Sequence, residues 1–178
     1  MAWEFTVLDF LQTLHGPVQD TFFKTVTHLG DAGIFFILLG FLLLFSRKTR
    51  EYGIAILSAL VMGALLCNVI LKPLVARARP CWINEAVQML VAVPKDYSFP
   101  SGHSQAAFAT ASAVFVRNRR AGIALGILAV LIAFSRLYLY VHFPTDVLVG
   151  TAIGICMGAL SVYPTRWITQ RLEKNRRK

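Results

Sequence analysis

Long apolar stretches, separated by short polar or charged segments, make up most of the chain. Five of them are candidate membrane spans, at residues 31–46, 52–71, 101–116, 121–139 and 146–163. A membrane-spanning helix needs about 20 predominantly apolar residues, with a lower limit of about 17. Several stretches reach that length only when polar residues at one end are included. The pattern predicts an all-α integral membrane protein, a helical bundle of about five transmembrane helices.

The first 30 residues have a different pattern. Apolar side chains recur at Phe5, Leu8, Leu11 and Leu14, with Asp9 and Gln12 between them. This spacing is typical of an amphipathic helix, and such helices commonly lie on a membrane surface. We therefore expect one membrane domain over residues 1–178, with an interfacial segment at 1–30, a transmembrane core at 31–163 and a basic cytoplasmic tail at 164–178.

The charges near the N-terminus favour surface helices over a signal peptide or an earlier membrane span. The segment before residue 32 carries several acidic residues and Lys24 as its one basic residue, which is unlike the basic start of a signal peptide. A first span that began earlier, near Phe22, would bury Lys24 and His28. We therefore expect amphipathic surface helices here, and we expect His15 and His28 to have structural or interfacial roles.

The charged residues of the remaining chain are sorted by loop. The chain has a net charge of +9. The loops at 46–51 and 117–120, together with the tail from Arg166 to Lys178, hold 12 of the 18 Lys and Arg but only two of the nine Asp and Glu. Because positively charged loops remain in the cytoplasm, this arrangement predicts a multi-pass protein of the cell (inner) membrane with a cytoplasmic C-terminus. It also argues against nucleic acid as a partner.

A second group of polar residues lies at the opposite, extracytoplasmic ends of the spans. It comprises Lys72, Arg77, Arg79, Ser101, Gly102, His103, Arg136, His142 and Asp146. A charge at the membrane centre costs about 2.5–3.5 kcal/mol on insertion, so it is kept only where it has a partner. The acids close by in the sequence are Glu85, Asp96 and Asp146, too few for these cations. We therefore expect an external anion, and phosphate suits Arg and Lys.

The start of the third span adds backbone donors to this cationic group. Ser101 is a favourable N-cap residue, and the first N–H groups of a helix have no partner within the helix. Gly102 allows an anion to approach the helix N-terminus closely. Ser101 and Gly102 are therefore candidate phosphate-binding residues.

Two histidines in the same region supply candidate catalytic groups. Phosphoryl transfer through a covalent intermediate needs a nucleophile and a proton donor for the leaving oxygen. Asp146 follows His142 by four residues and can orient it, so we interpret His142 as the nucleophile. His103 then remains as the general acid. A zinc site made of His103, His142 and Asp146 is chemically conceivable, but the nearby cations would repel the metal.

Three motifs in this region resemble a known family. Residues 72–80 read K-P-L-V-A-R-A-R-P, residues 100–103 read P-S-G-H, and residues 135–146 fit S-R-x5-H-x3-D. Complete and in this order, they resemble the type 2 phosphatidic acid phosphatase superfamily. The resemblance implies that Lys72, Arg79, Ser101, Gly102 and Arg136 bind phosphate, that His142, Asp146 and His103 are catalytic, and that no metal cofactor is used. The residues alone do not separate Arg77 from Arg79; the motif selects Arg79.

The resemblance also narrows the function. It implies a metal-independent membrane phosphatase that hydrolyses a lipid phosphate or diphosphate through a phosphohistidine. The sorted loop charges predict that the active site lies on the extracytoplasmic face. Undecaprenyl diphosphate is the first substrate expected, by analogy, and phosphatidylglycerol phosphate and phosphatidic acid are alternatives. Two further alternatives are a phosphotransferase and a non-enzymatic lipid-phosphate binder.

A row of glycines in the last span predicts close packing against another helix. Gly150, Gly154 and Gly158 recur every four residues, and this spacing lets two helices approach closely. Such a row can form the face of a homodimer or can pack within one bundle. Packing within the bundle is the favoured interpretation.

Overall fold

The computed structural model describes residues 2–176, and this part of the chain is helical without any strand. The α-helices are α1 (Ala2–Gln12), α2 (Pro17–His28), α3 (Ile34–Leu44), α4 (Arg50–Ala64), α5 (Lys72–Val75), α6 (Pro80–Ile83), α7 (Gly102–Phe115), α8 (Arg119–Tyr138), α9 (Pro144–Leu160) and α10 (Val162–Arg176). A π-helix, Leu65–Leu71, joins α4 to α5 without a break. The predicted all-α fold is confirmed.

Four segments are long and apolar enough to cross a membrane: Pro17–Leu44, Arg50–Ile83, Arg119–Tyr138 and Pro144–Leu172. They correspond to the predicted first, second, fourth and fifth spans, so the chain is a membrane protein. The predicted third span is α7, which has only 14 residues and packs among α4, α8 and α9. Five crossings therefore remain a prediction.

The N-terminal segment is bound to the bundle along one face. α2 packs against α8, where Val26 and Thr27 are buried. α1 buries Leu8 and Leu11, and Leu8 packs against the turn between α8 and α9. A tight turn separates α2 from α3, with positive φ angles of 49° at Ala32 and 68° at Gly33. The predicted boundary at residue 31 falls on this turn. The interfacial position of residues 1–30 remains a prediction, since Pro17–Leu44 together is long enough to span.

The glycine row of α9 faces α7 inside the chain. A Cβ atom at Gly150 would lie 2.5 Å from the Ser101 carbonyl oxygen, and one at Gly154 would lie 2.5 Å from the Gln105 carbonyl oxygen. A Cβ at Gly158 would lie 2.5 Å from Cβ of Ser112. Because these glycines let α7 and α9 approach closely, packing within the bundle accounts for the pattern. A homodimer therefore has no support from this row.

Alternating helix directions bring the three sequence motifs to one end of the bundle. Lys72 follows the π-helix, Ser101 caps α7, Arg136 lies in the last turn of α8 and Asp146 lies in the first turn of α9. The basic loops lie at the opposite ends of the same helices. The predicted tail at 164–178 is helical as part of α10 up to residue 176, and Arg177 and Lys178 lie outside the described residues.

Candidate active site

His142 lies in the turn between α8 and α9, at the buried centre of the site, with 1% of its surface exposed. Its Nε2 is 3.1 Å from Nη1 of Arg79. A guanidinium can only donate hydrogen bonds, so Nε2 accepts, and the hydrogen-bond network assigns the ring proton to Nδ1. The predicted nucleophile therefore presents an unprotonated nitrogen to the predicted phosphate-binding arginine.

The link from His142 to Asp146 runs largely through Ser98. Nδ1 of His142 is 3.6 Å from Oδ2 of Asp146, which is longer than a hydrogen bond, and 3.3 Å from Oγ of Ser98. The Ser98 hydroxyl donates to the same carboxylate oxygen. That oxygen also accepts the backbone N–H of Phe143 at 2.9 Å, which caps α9. Sequence reasoning paired His142 with Asp146 directly and missed Ser98, which no motif singled out.

Burial and the surrounding cations keep His142 neutral. Burial lowers the pKa of His142 well below its ordinary value of 6.5, and the positive charges of Arg79 and Arg136 lower the pKa further. His103 and Lys72 contribute in the same direction. The residues that the motifs predicted as one site are therefore close enough to act on one another, and His142 keeps the lone pair that a nucleophile needs.

Arg79 and Lys72 share a carboxylate from the loop that precedes α7. Nη2 of Arg79 donates to Oδ1 of Asp96 at 2.7 Å, and Nζ of Lys72 donates to Oδ2. Burial raises the pKa of Asp96, but the hydrogen bonds and charges of Lys72 and Arg79 outweigh it and lower the pKa to about 2. Asp96 is therefore an anion at any working pH, and it binds two of the cations that the motifs predict to bind phosphate.

Of the three predicted phosphate-binding cations, Arg136 has no carboxylate among its hydrogen-bond partners in the described part of the chain. Its side chain is buried, and Nη1 donates to Oγ1 of Thr27 at 2.5 Å. Its Nε is buried and has no hydrogen-bond partner within the described residues. An unpaired donor on a buried cation is costly. A phosphate oxygen would satisfy this donor, which agrees with the predicted role.

The start of α7 is built as the sequence predicted. The Ser101 hydroxyl accepts hydrogen bonds from the backbone N–H of Ser104 at 3.4 Å and from the Ser104 hydroxyl at 3.0 Å. Ser101 N–H donates to the Asp146 carbonyl oxygen at 3.0 Å, which ties α7 to α9. Gly102 and His103 line a cavity together with Lys72 and Asp96. The predicted N-cap at Ser101 is confirmed.

Arg77 is hydrogen-bonded to the carboxylates of Asp146 and Glu4. Its Nη1 donates to Oδ1 of Asp146 at 2.6 Å, and its Nη2 donates to Oε2 of Glu4 at 2.7 Å. Its guanidinium also stacks over the Phe143 ring at 4.1 Å. The geometry therefore separates Arg79, which contacts His142, from Arg77, which holds Asp146 and α1. Sequence reasoning missed Glu4 because it counted only acids close by in the chain.

The cavity at the site continues between α3, α4 and α7. Its volume is about 650 Å³. Away from Lys72 and His103 it is lined mainly by apolar side chains, among them Ile37, Phe41, Leu57, Leu60 and Val61. A polar end and an apolar length suit an amphiphilic ligand.

The sequence itself decides the family. The model of the PAP2 superfamily matches residues 51–170, which include all three motifs. The chain belongs to the PAP2 superfamily. Glu4 and Asp31, which contact the site from the N-terminal segment, lie outside the matched range.

Individual proteins of known function or structure are also similar to this chain. Decaprenylphosphoryl-5-phosphoribose phosphatase of Mycobacterium tuberculosis is 36% identical over 140 residues, or 77% of this chain and 75% of that protein. An undecaprenyl-diphosphatase of Sulfolobus acidocaldarius is 35% identical over 122 residues, or 68% of this chain and 59% of that protein. The crystal structure of a transmembrane PAP2-type phosphatidylglycerolphosphate phosphatase from Bacillus subtilis has a TM-score of 0.75 and 29% identity, covering 90% of this chain and 83% of that one. This PAP2 protein is thus a membrane lipid phosphatase.

Proposed function

We propose that this chain hydrolyses a lipid phosphate or diphosphate through a phosphohistidine, without a metal ion. The observation that carries the proposal is the buried, neutral His142, whose unprotonated Nε2 lies 3.1 Å from Nη1 of Arg79. That nitrogen attacks phosphorus as the bond between phosphorus and the leaving oxygen breaks. His103 gives its proton to the leaving oxygen.

The second half of the reaction restores the enzyme. Water attacks the phosphorus, the bond from phosphorus to Nε2 of His142 breaks, and His103 takes the proton from the water. Inorganic phosphate leaves, and both histidines return to their starting states. If an acceptor alcohol attacked the same phosphohistidine in place of water, the enzyme would act as a phosphotransferase.

Electrostatic stabilisation of the transferring group comes from Arg79, Arg136 and Lys72. Fixed positive groups around the equatorial oxygens are the main catalytic contribution expected in phosphoryl transfer. Arg136 has a free donor within the described residues, whereas Arg79 and Lys72 are bound to Asp96. A bound phosphate takes over the Lys72 and Arg79 donors that Asp96 accepts from in this structure.

For the substrate we propose undecaprenyl diphosphate first. The apolar cavity next to Lys72 suits a lipid tail, and two of the similar proteins are named for decaprenyl- and undecaprenyl-linked substrates. The similar crystal structure is of a phosphatidylglycerolphosphate phosphatase, which keeps phosphatidylglycerol phosphate, and with it phosphatidic acid, as the second candidate. The sorted loop charges support an active site on the extracytoplasmic face and a cytoplasmic C-terminus.

The test is phosphate release by detergent-purified protein from each of these lipids, with EDTA present. We expect activity in EDTA, the highest kcat/KM on undecaprenyl diphosphate, and no turnover by His142→Ala. A brief reaction with ³²P-labelled substrate should leave acid-labile, alkali-stable label on the wild-type protein and none on His142→Ala. Full activity in His142→Ala would overturn the mechanism, and loss of activity in EDTA would overturn its independence of metal.

A further inference from the structure

His103 is held by a residue that none of the three motifs contains. Its Nε2 lies 3.0 Å from Oδ1 of Asp31, which comes from the turn between α2 and α3. The carbon edge of the ring lies against Gly30, where a Cβ atom would be 2.6 Å from Cδ2 of His103. The turn therefore fixes one edge of the imidazole. The Nδ1 edge forms no hydrogen bond within the described residues.

Asp31 is in turn fixed by its own neighbours. Its second oxygen, Oδ2, lies 2.7 Å from Nδ1 of His28. The next two residues, Ala32 and Gly33, have φ angles of 49° and 68°. A positive φ at a residue with a side chain is strained and persists where surrounding contacts hold it. This turn holds Asp31 where its carboxylate reaches His103.

The three side chains form a path from the site to the surface. The exposed fraction of the side chain is 18% for His103, 50% for Asp31 and 63% for His28. Charged groups reach His103 from several elements: Arg136 from α8, Arg79 from the loop after α5, and Asp31 from the turn. Burial is the main factor that disfavours a protonated imidazole here, and the two arginines act in the same direction. Asp31 is the anion that favours the protonated form.

We propose that Asp31 is a positioning residue for the general acid His103 and that His28 holds the Asp31 carboxylate in place. This inference rests on the proposed phosphatase mechanism. Asp31 accepts the Nε2 proton of His103 in a hydrogen bond and stabilises the imidazolium, so that Nδ1–H is aimed at the leaving oxygen. In the first step the Nδ1 proton passes to that oxygen; in the second, Nδ1 takes a proton from water. The Asp31 carboxylate stays ionised throughout.

The contribution of a general acid to the rate increases as the leaving group becomes poorer. Comparing a poor with a good leaving group therefore distinguishes a role of Asp31 in acid catalysis from a purely structural role. kcat/KM is compared for an alkyl phosphate and for a nitrophenyl phosphate carrying the same tail, whose phenolate leaves without a proton. We expect Asp31→Asn and Asp31→Ala to lose about 10- to 100-fold on the alkyl substrate, within the range of general-acid contributions. The loss on the nitrophenyl substrate should stay below about 3-fold.

The pH profile provides a second readout. Without the Asp31 anion, His103 loses its proton more easily, so the alkaline limb of kcat/KM should move to lower pH in Asp31→Asn. Asp20→Asn is the matched control, because Asp20 is a carboxylate of the same segment that accepts from the Tyr138 hydroxyl at 2.6 Å, away from His103. We expect this control to leave both the leaving-group dependence and the alkaline limb unchanged.

Two results would overturn the inference: equal losses on both substrates in Asp31→Asn, or an alkaline limb that does not move. If Asp31→Ala fails to fold, Asp31→Asn, which keeps the shape and one acceptor oxygen, still gives the answer. Failure of the phosphatase mechanism itself would be distinguishable, since the wild-type protein would then form no phosphohistidine and His142→Ala would remain active.

Discussion

Nη1 of Arg79 donates a hydrogen bond to Nε2 of His142 across 3.1 Å. Nη1 also donates to the Val141 carbonyl oxygen at 2.7 Å, and Nε donates to the Asp96 carbonyl oxygen at 2.7 Å. The guanidinium is therefore fixed in orientation by the backbone on two sides. The Nε2 lone pair of His142 is therefore directed at the Arg79 guanidinium, and Arg79 has to donate to a phosphoryl oxygen instead before Nε2 can attack phosphorus.

Arg79→Lys keeps the charge but removes the planar fork that makes these contacts. We expect kcat/KM for phosphate release to fall by at least about 100-fold, the usual cost of removing a fixed donor from a developing charge. Lys95→Gln is the control, since Lys95 is an exposed cation in the same loop region. Near-normal activity in Arg79→Lys would show that charge alone is sufficient at this position.

Ser98→Ala removes the hydroxyl that lies between His142 and Asp146. The Nδ1 proton of His142 then loses its nearest acceptor, and we expect kcat to fall about 10-fold, as for a buried hydrogen bond worth about 1–1.5 kcal/mol. KM should change little. Thr110→Ala removes an equally buried hydroxyl, one that bonds to the Ala106 carbonyl oxygen within α7. Equal kcat in the two variants would mean that Ser98 has no special role.

Asp96→Asn removes the anion that competes with phosphate for Lys72 and Arg79. We expect KM for the lipid phosphate, and the inhibition constant for inorganic phosphate, to fall about 2- to 5-fold, the scale of a partly exposed ion pair. Because the pKa of Asp96 is about 2, the difference should persist from neutral pH down to pH 5. A raised KM would instead make Asp96 part of the binding surface for the substrate.

The protonation of His142 can be followed directly. Burial lowers the pKa of His142 well below 6.5, so the ring should remain neutral at pH values where an ordinary histidine is already protonated. ¹⁵N spectra of histidine-labelled protein in detergent, with the signals of His142 assigned by their loss in His142→Gln, should show no protonation near pH 6.5. A titration midpoint at or above 6.5 would contradict the neutral-nucleophile mechanism.

Glu4 connects the first helix to the back of the site. Its carboxylate is buried and accepts from Arg77 at 2.7 Å and from the Thr145 hydroxyl at 2.7 Å. Glu4→Ala leaves two partly buried partners, Arg77 and Thr145, with fewer acceptors, and we expect it to destabilise the protein by about 1–3 kcal/mol. Thermal unfolding in detergent measures the loss. Thr6→Ala, on an exposed part of α1, is the control and should unfold at the wild-type temperature.

The motifs made much of the site predictable from the sequence. Each motif sits at the end of an apolar stretch, and successive spans run in opposite directions, so Lys72, Ser101, Arg136 and Asp146 had to reach the same end of the bundle. The spacing of Gly150, Gly154 and Gly158 likewise predicted a close helix pair. These inferences depend on helix periodicity and direction alone, which the sequence carries explicitly.

The residues that support the site were not predictable in this way. Asp31 and His103 are 72 positions apart, and their contact depends on a turn whose positive φ at Ala32 has no sequence signature. Glu4 reaches Arg77 only because α1 packs against the start of α9. Ser98 lies in an irregular loop. Such contacts arise from how separate elements pack, and no local pattern records them.

The contact between Gly150 and the Ser101 carbonyl oxygen has a consequence for enzyme engineering. A single methyl group at position 150 would meet backbone at 2.5 Å, and backbone cannot rotate aside as a side chain can. The N-terminus of α7 would have to move away from α9, and with it His103 would move relative to His142. The spacing of the two catalytic imidazoles thus depends on the absence of a Cβ atom at Gly150. A screen for stabilising alanines in α9 should therefore leave this position unchanged.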